Sequence, residues 1–580
     1  MCGIIASNNK SKDFLAAHAL LKHRGPDEQR IGNWKDNVYG FSRLAIRGLG
    51  LNGIQPFNCE CGRWSVIYNG EISNWKDLKE NLNVKSIGDC DGEVIPHMIC
   101  EFGIESLHNL TGMYAIISFD KKTNSLYAFR DPFGIKPLYF AGDRDEWYLS
   151  SEVRPLLQFK KYHFSSESIA HFKTFGFLSP EQSGYSKISL LPPGKIVKIN
   201  DLSSEINRIP TFVKKELADN SKSLIRKLSD LIVRNSESDV KNCVSYSSGF
   251  DSNLIAILLA NNGIENEHIH ITGLTEFDES KKVIEIAKKH DFALSILSLD
   301  KSSIDLEDYF TKMDRLTYDG LNSYLISKVI SKAGFKSFLT GHGGDEFLRG
   351  YKNASKIYGL RNEIAILIPK KLRKIIFQKL SINQKASLFD KKYISTLDTF
   401  PRLYAQSRSI GIEPNAETYS YISHLKILEI TNLLNDMSNQ EIGQICHYMA
   451  GLSLLDLDQY SMAFSVEARP PLVDIEVLTL LRSYGIRTKK QLALELGSQS
   501  LLEITLRPKQ GFSLNIKKII EDNLVLVQNK LFAKDTLNRL QISELQMRKE
   551  FQGRLNYKNG SSNKIWQYLT YAYWLENAYK

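Results

Sequence analysis

At 580 residues the chain is too long for one core and predicts two or more domains of roughly 100–200 residues each. Hydrophobic residues at 42% and charged residues at 24% exclude a disordered chain and provide for a sizeable core. Lys and Arg at 75 against Asp and Glu at 65 leave +10, which is spread too thinly to argue for nucleic acid and reads as a basic solvated surface.

Over about the first 160 residues, short β-runs are predicted at 2–6, 38–46, 64–68, 113–119, 126–130, 137–141 and 146–150. The runs 113–119 and 126–130 flank a polar loop and form a hairpin, while Val94, Ile95, Met98 and Ile99 share one face of a helix within 91–102. This half is α+β with antiparallel pairing. Leu191-Pro192-Pro193-Gly194 and the polar stretch 200–208 interrupt the pattern, so the domains are expected at 1–200 and 215–580.

In the second half, strands at 242–246, 268–273, 293–299 and 337–340 alternate with helices at 253–261, 280–290 and 323–333. That alternation predicts an α/β unit with a doubly wound parallel sheet. Beyond Tyr351 the chain reads as largely helical to its end, and the basic patch Lys370, Lys371, Arg373 and Lys374 is expected to be a solvated helix face.

Seven cysteines, at 2, 59, 61, 90, 100, 243 and 446, form no regular disulfide framework, which fits a reducing compartment. Cys59 and Cys61 make a C-x-C without a second pair at zinc-ligand spacing and read as a loop feature with no metal role. No apolar run approaches the ~18–20 residues of a membrane span, and Asn8, Asn9 and Lys10 follow the N-terminus where a signal would be apolar. A cytoplasmic protein without membrane insertion is expected.

Removal of Met1 would leave Cys2 with a free α-amino group, which can serve as the base of an N-terminal nucleophile. Alone, that position suits an inert residue equally well. It is accompanied by His23-Arg24-Gly25-Pro26-Asp27, Ser42-Arg43-Leu44-Ala45-Ile46, Tyr68-Asn69-Gly70-Glu71-Ile72, Asp91-Gly92-Glu93 and Arg130-Asp131-Pro132-Phe133-Gly134-Ile135-Lys136-Pro137. This ordered set resembles the glutaminase domain of class II glutamine amidotransferases, an antiparallel sandwich of the N-terminal nucleophile hydrolase type. The resemblance implies that Cys2 attacks the glutamine amide, with Asn69 and the Gly70 backbone as oxyanion hole. It also implies Arg43 on the glutamine α-carboxylate and Asp91 with Glu71 on its α-ammonium. In isolation Arg43 would pass for a surface ion pair and Asp91 for a helix N-cap.

In the second half, Tyr246-Ser247-Ser248-Gly249-Phe250-Asp251-Ser252 forms a small-residue turn between a strand and a helix start, a cradle for pyrophosphate. It resembles the S-G-G-x-D-S loop of ATP pyrophosphatases, with Ser248 in place of the second glycine, where its side chain would crowd the phosphate. Thr340-Gly341-His342-Gly343-Gly344-Asp345-Glu346 follows a later strand. Together with Glu467-Ala468-Arg469-Pro470-Pro471-Leu472-Val473-Asp474 and Arg507-Pro508-Lys509-Gln510-Gly511-Phe512, these segments resemble the glutamine-hydrolysing asparagine synthetase family. The resemblance implies ATP and Mg²⁺ as cofactors, with Asp251 and Asp345 as metal ligands. It further implies Tyr246, Thr272, Thr340 and Gly341 beside the nucleotide and Lys509 on the departing pyrophosphate.

The implied activity is a ligase that adenylates a carboxylate, aspartate first, and amidates it with ammonia from glutamine through a water-poor passage. His342, where aspartate-using members carry glutamate, and the segment containing Asp319 leave a uronic acid or another carboxylate open as acceptor. Ring-closing relatives often lose the cysteine, so the intact Cys2 favours ammonia transfer. A glutaminase or binding protein with a disabled ATP site is the reading from another class. A homodimer is open.

Overall fold

Along the strands Trp64–Ile72 and Gly112–Asp120 neighbouring side chains point to opposite faces, and both faces are apolar. Ile67, Ala115 and Ile117 pack with Ile4, Phe41 and Leu149, whereas Tyr68, Tyr114 and Ile116 pack with Val94, Ile95, Met98 and Ile99 of the helix Val94–Phe102. A sheet buried on both sides needs a partner layer on each, which dictates a sandwich. In the computed structural model, which describes residues 2–84, 88–143, 145–199, 205–206, 221–273, 278–299, 304–350, 437, 439–507, 514–555 and 562–577, two six-stranded antiparallel sheets stack face to face. The first runs Ile188–Leu190, Tyr139–Gly142, Trp147–Ser150, Cys2–Ser7, Asn37–Arg43, Glu28–Trp34. The second runs Glu205–Ile206, Ile196–Lys198, Ser125–Arg130, Gly112–Asp120, Trp64–Ile72, Phe57–Asn58. The helix Asp13–Ala19 covers the outer face of the first sheet through Phe14 and Ala17 against Ile5 and Val38.

The strand Glu28–Trp34 was not anticipated, because it is a mostly exposed edge whose polar residues show no apolar alternation. The expected run 64–68 continues unbroken to Ile72, carrying Asn69, Gly70 and Glu71 inside the strand.

The second half holds a parallel five-stranded sheet in the order Leu294–Ser298, Glu267–Thr272, Asn242–Ser245, Ser337–Leu339, Glu467–Arg469. Helices lie on both faces, Phe250–Asn261 packing with Leu224 and Leu228, and Leu321–Lys332 packing with Tyr309, Leu455 and Tyr460. The chain leaves Asn242–Ser245 toward one edge and returns to its other side at Ser337–Leu339, so the switch in strand order falls between those two strands. Ligands of open parallel sheets bind at that crevice. The fifth strand, Glu467–Arg469, interrupts a region predicted as helical; three residues with two buried charges carry no strand pattern. The basic patch at 370–374 lies outside the described residues.

The two halves share one core. Tyr139, Phe172, Phe175 and Tyr185 from the first pack with Leu316, Leu455, Trp566 and Trp574 from the second. Charges are buried there too: Arg24 meets Glu152 at 3.1 Å and Asp458 at 2.8 Å, and Lys136 reaches Asp458 at 3.3 Å. The motif at 130–137 is the turn that delivers this lysine. Its Asp131 carboxylate accepts the N–H groups of Tyr114, Phe133, Ile135 and Lys136, closing the turn on itself.

Candidate active sites

Cys2 opens the central strand of the first sheet, directly opposite Arg43 on the neighbouring strand. Its backbone N–H donates to Asn69 Oδ1 at 3.0 Å, while Asn69 Nδ2 is buried without a hydrogen-bond partner among the described residues. A buried amide that lacks an acceptor is a donor held in reserve for one. Gly70 has φ +143°, and a Cβ there would run into the Met113 carbonyl, so the strand passes this point only with glycine. Burial pushes the Cys2 thiol up, against the pull of the chain's amino terminus and of Arg43.

Arg43, Gly70, Glu71 and Asp91 all line the pocket that contains Cys2. Arg43 donates to the carbonyls of Gly48 and Gly50, holding the 47–50 loop over the pocket. Asp91 caps no helix; its two oxygens accept the Tyr68 hydroxyl and the Ile72 N–H, each at 2.8 Å. Glu71 is engaged by Arg47 at 2.8 Å and by Arg469 from the second half. Both expected ammonium partners are thus present in the pocket with oxygens already hydrogen-bonded or ion-paired. Gln55 was missed by sequence reasoning: its amide clips the Tyr68 backbone at 2.7 and 2.9 Å and lies 3.5 Å from Cys2 Sγ. A lone glutamine in a loop carries no signal that could have found it.

At the switch point a cavity of about 390 Å³ opens between the loops after Asn242–Ser245 and Ser337–Leu339. Ser247 and Ser252 join hydroxyls at 3.1 Å, and the Asn253 amide ties the Ser247 and Gly249 carbonyls at 3.0 and 2.7 Å, so the turn is preformed. Tyr246, Ser247, Gly249, Asp251 and Ser252 line the cavity, and Ser248 is not on its wall. Asp251 and Asp345 face each other across Lys489 Nζ, which lies 2.6 Å from a carboxylate oxygen of each. A Cβ on Gly344 would collide with the Asp251 carboxylate and one on Gly350 with that of Asp345, so these glycines make room for the acidic pair. Two carboxylates sharing one largely buried cation, beside a hydroxyl-rich turn, are a donor set that suits Mg²⁺ with phosphate. Lys489 was missed because the short helix it opens, Lys489–Glu495, carries no motif.

Thr340, Gly341 and His342 line the same cavity. His342 Nδ1 lies 2.7 Å from the Thr340 hydroxyl, and burial pushes its imidazole down to about 4 against the pull of Asp345. Thr272, the last residue of its strand, stands off the wall with its hydroxyl donating to Asp278 at 3.1 Å, while Ile269, His270 and Ile271 of the same strand line the cavity. Asp319 is also off the wall; Asn322 and Ser323, one turn on in the helix Leu321–Lys332, face the cavity in its stead. Glu279 and Glu346 line it as well and were not foreseen. Lys509 lies outside the described residues.

Residues 224–576 match the family model described as asparagine synthase. The chain belongs to the asparagine synthase family. Residues 1–209 match a glutamine amidotransferase domain, and the two matches together make the chain a glutamine-hydrolysing, ATP-using amidotransferase of the asparagine synthase type. It is 25% identical over 514 residues to the glutamine-hydrolyzing asparagine synthetase 1 of Bacillus subtilis strain 168, covering 82% of this chain and 79% of that protein. A putative glutamine-hydrolyzing asparagine synthetase of Mycobacterium tuberculosis H37Rv is 25% identical over 583 residues, covering 89% of this chain and 88% of the relative. A putative asparagine synthetase 2 of Methanocaldococcus jannaschii is 26% identical over 426 residues, covering 66% and 81% respectively. Among the described residues, no helix of this asparagine synthase family member is long and apolar enough to cross a membrane.

In this family member one short strand serves both sites. Glu467 and Arg469 reach from Glu467–Arg469 into the Cys2 pocket, while the Arg469 carbonyl accepts the Thr340 N–H at the ATP-side loop. Four residues on, Val473 packs so closely on Gly343 that a Cβ there would strike it. Burial is the largest single influence on Glu467, but Arg469, the amino terminus and Lys136 together outweigh it and hold its carboxyl low, whereas burial pushes Glu71 up against Arg469 and Arg47.

Proposed function

We propose that this protein forms an amide from a carboxylate, ATP and the amide nitrogen of glutamine, with aspartate as first acceptor and asparagine as product. The observation that carries the reading is the pairing of a reserved donor at Asn69 beside Cys2 with a convergent carboxylate pair, Asp251 and Asp345, at the sheet's switch point. In the first site the Cys2 sulfur attacks the glutamine side-chain carbonyl, Asn69 Nδ2 and the Gly70 N–H stabilise the oxyanion, and ammonia leaves as the thioester forms. Arg43 with Asp91 and Glu71 would select the amino-acid end of glutamine. Water then releases glutamate.

In the second site the acceptor carboxylate attacks the α-phosphorus, pyrophosphate departs, and ammonia displaces AMP from the acyl carbon. Ser247, Gly249 and Ser252 would cradle the phosphates, with Tyr246, Thr340 and Gly341 beside the nucleoside and Lys509 on pyrophosphate. Asp251 and Asp345 would hold Mg²⁺, which neutralises phosphate charge when bound. The catalytic units are taken as residues 1–200 and 215–580, in a cytoplasmic enzyme whose assembly as a homodimer is open.

One observation favours a different acceptor within the same chemistry. His342, half-buried on the cavity wall with its imidazole pushed down to about 4, stands where aspartate-using members resembled by this chain carry a carboxylate, so a uronate or another acid is the second reading. Pyrophosphate release is measured with ATP, Mg²⁺ and glutamine, with and without aspartate. Aspartate-dependent release with asparagine formed supports the first reading. Silence with aspartate, while glutamine is hydrolysed and ATP binds, supports the second. Failure to bind ATP with Mg²⁺ overturns the ligase reading in favour of a glutaminase or binding protein.

A further inference from the structure

The turn between the strands Phe57–Asn58 and Trp64–Ile72 reads Cys59-Glu60-Cys61-Gly62-Arg63. Cys59 Sγ and Cys61 Sγ lie 3.3 Å apart, and Cys100 Sγ, from the last turn of the helix Val94–Phe102, lies 3.2 Å from Cys61. All three sulfurs fall within 4.8 Å of one another. Sequence spacing left Cys59 and Cys61 without a partner; the packing of helix on sheet supplies the third thiol from 39 residues away.

The turn is built toward sulfur. Gly62, at φ +70°, reverses the chain and donates its N–H to the Cys59 carbonyl at 2.9 Å. The Trp64 N–H donates to Cys59 Sγ at 3.1 Å. A backbone donor aimed at sulfur favours thiolate, the form that binds metal. Cys59 is buried, Cys100 half-buried and Cys61 exposed, so the cluster has a closed base and an open side. Bonds of about 2.3 Å at tetrahedral angles set metal-bound sulfurs about 3.8 Å apart, so small side-chain rotations suffice to admit an ion.

We propose that Cys59, Cys61 and Cys100 form a three-thiolate site for a thiophilic cation of the Zn²⁺ or Cu⁺ type, with a further position open to solvent. None of the three lines the Cys2 pocket. An ion there would tie the hairpin that leads into Asn69–Glu71 to the helix that follows Asp91, bracing the glutaminase half from outside its pocket. Soft thiolate ligands select such ions over Mg²⁺.

The test is anaerobic titration of the reduced, chelator-treated full chain with Co²⁺. The expected result is a thiolate-to-cobalt charge-transfer band that saturates at one ion per chain, is displaced by Zn²⁺, and persists in Cys2→Ala. It is lost in Cys61→Ser, an exposed position where folding is unaffected by far-UV circular dichroism, and in Cys100→Ser. Zn²⁺ should also raise the melting temperature of the wild type but not of Cys61→Ser. Absence of the band, its survival in both serine variants, or its loss in Cys2→Ala overturns the proposal. So does a Cys61–Cys100 disulfide that persists under reductant and blocks Co²⁺.

Discussion

The carbonyl of Arg469 accepts the N–H of Thr340 at 2.9 Å, and the guanidinium of the same Arg469 lies in the Cys2 pocket between Glu71 and Glu467. One residue therefore touches both chemical sites, through its backbone on one side and its side chain on the other. Arg469→Met should leave two buried carboxylates short of a cation. Breaking such an arrangement costs about 3–5 kcal/mol. Urea unfolding should report that loss, and glutamine-dependent product formation should fall further than ammonia-dependent formation, measured side by side.

Cys2→Ala should abolish glutamine-dependent pyrophosphate release and spare release supported by ammonium salts at raised pH. Retained glutamine dependence would remove Cys2 from its proposed role.

The reserved donor at Asn69 predicts a kinetic signature. Asn69→Ala should lower kcat for glutamine hydrolysis by about 10²–10³, as loss of one oxyanion donor does, with a smaller change in KM. Gly70→Ala should fail differently: at φ +143° and hard against Met113, an added methyl strains the strand, so thermal stability should drop along with activity.

Lys489 holds Asp251 and Asp345 together at 2.6 Å from each, and those two carboxylates, despite burial, keep its ammonium well above the ordinary lysine range. Lys489→Met should destabilise the metal-free protein, because two acids then face each other without a cation. Adding Mg²⁺ should recover more melting temperature in this variant than in the wild type, read by calorimetry across a Mg²⁺ series. Equal Mg²⁺ response in both proteins would separate the lysine from the metal site.

Stability should decline on acidification through a buried histidine pair that lines neither site. His171 Nδ1 donates to the Phe177 carbonyl at 2.9 Å, so its Nε2 must accept from His447 Nε2 across 3.3 Å. Burial pushes His171 down to about 4 and His447 well below its ordinary value. Because the unfolded imidazoles bind protons near about 6.5, their stabilisation is whole above that pH and is lost as pH falls toward 4. Each group contributes about 1.4 kcal/mol per pH unit over its window. Denaturant midpoints at pH 7.5 and pH 5 should differ accordingly, and His171→Gln with His447→Leu should flatten the slope.

Local chemistry was legible in the sequence of this protein. The apolar runs 113–119 and 126–130 flanking a polar loop, the strand–helix alternation after 242, and the turn glycines of the phosphate loop each act within a few residues, so pattern reading places them. Of the residues resembling the family's motifs, Cys2, Arg43, Gly70, Glu71 and Asp91 gather into one pocket and Tyr246, Ser247, Gly249, Asp251, Ser252, Thr340, Gly341, His342 and Asp345 line the switch-point cavity, whereas Thr272 and Asp319 stand off its wall. What sequence could not supply is contact across the fold. Gln55 reaches Cys2, Lys489 joins two loops more than a hundred residues away, and Glu467–Arg469 becomes a strand because buried ion pairs with Glu71 replace the apolar contacts that would have announced it. Cys100 meets Cys61 for the same reason: helix packing on a sheet sets which distant side chains share a volume, and nothing in the spacing of the chain encodes that meeting.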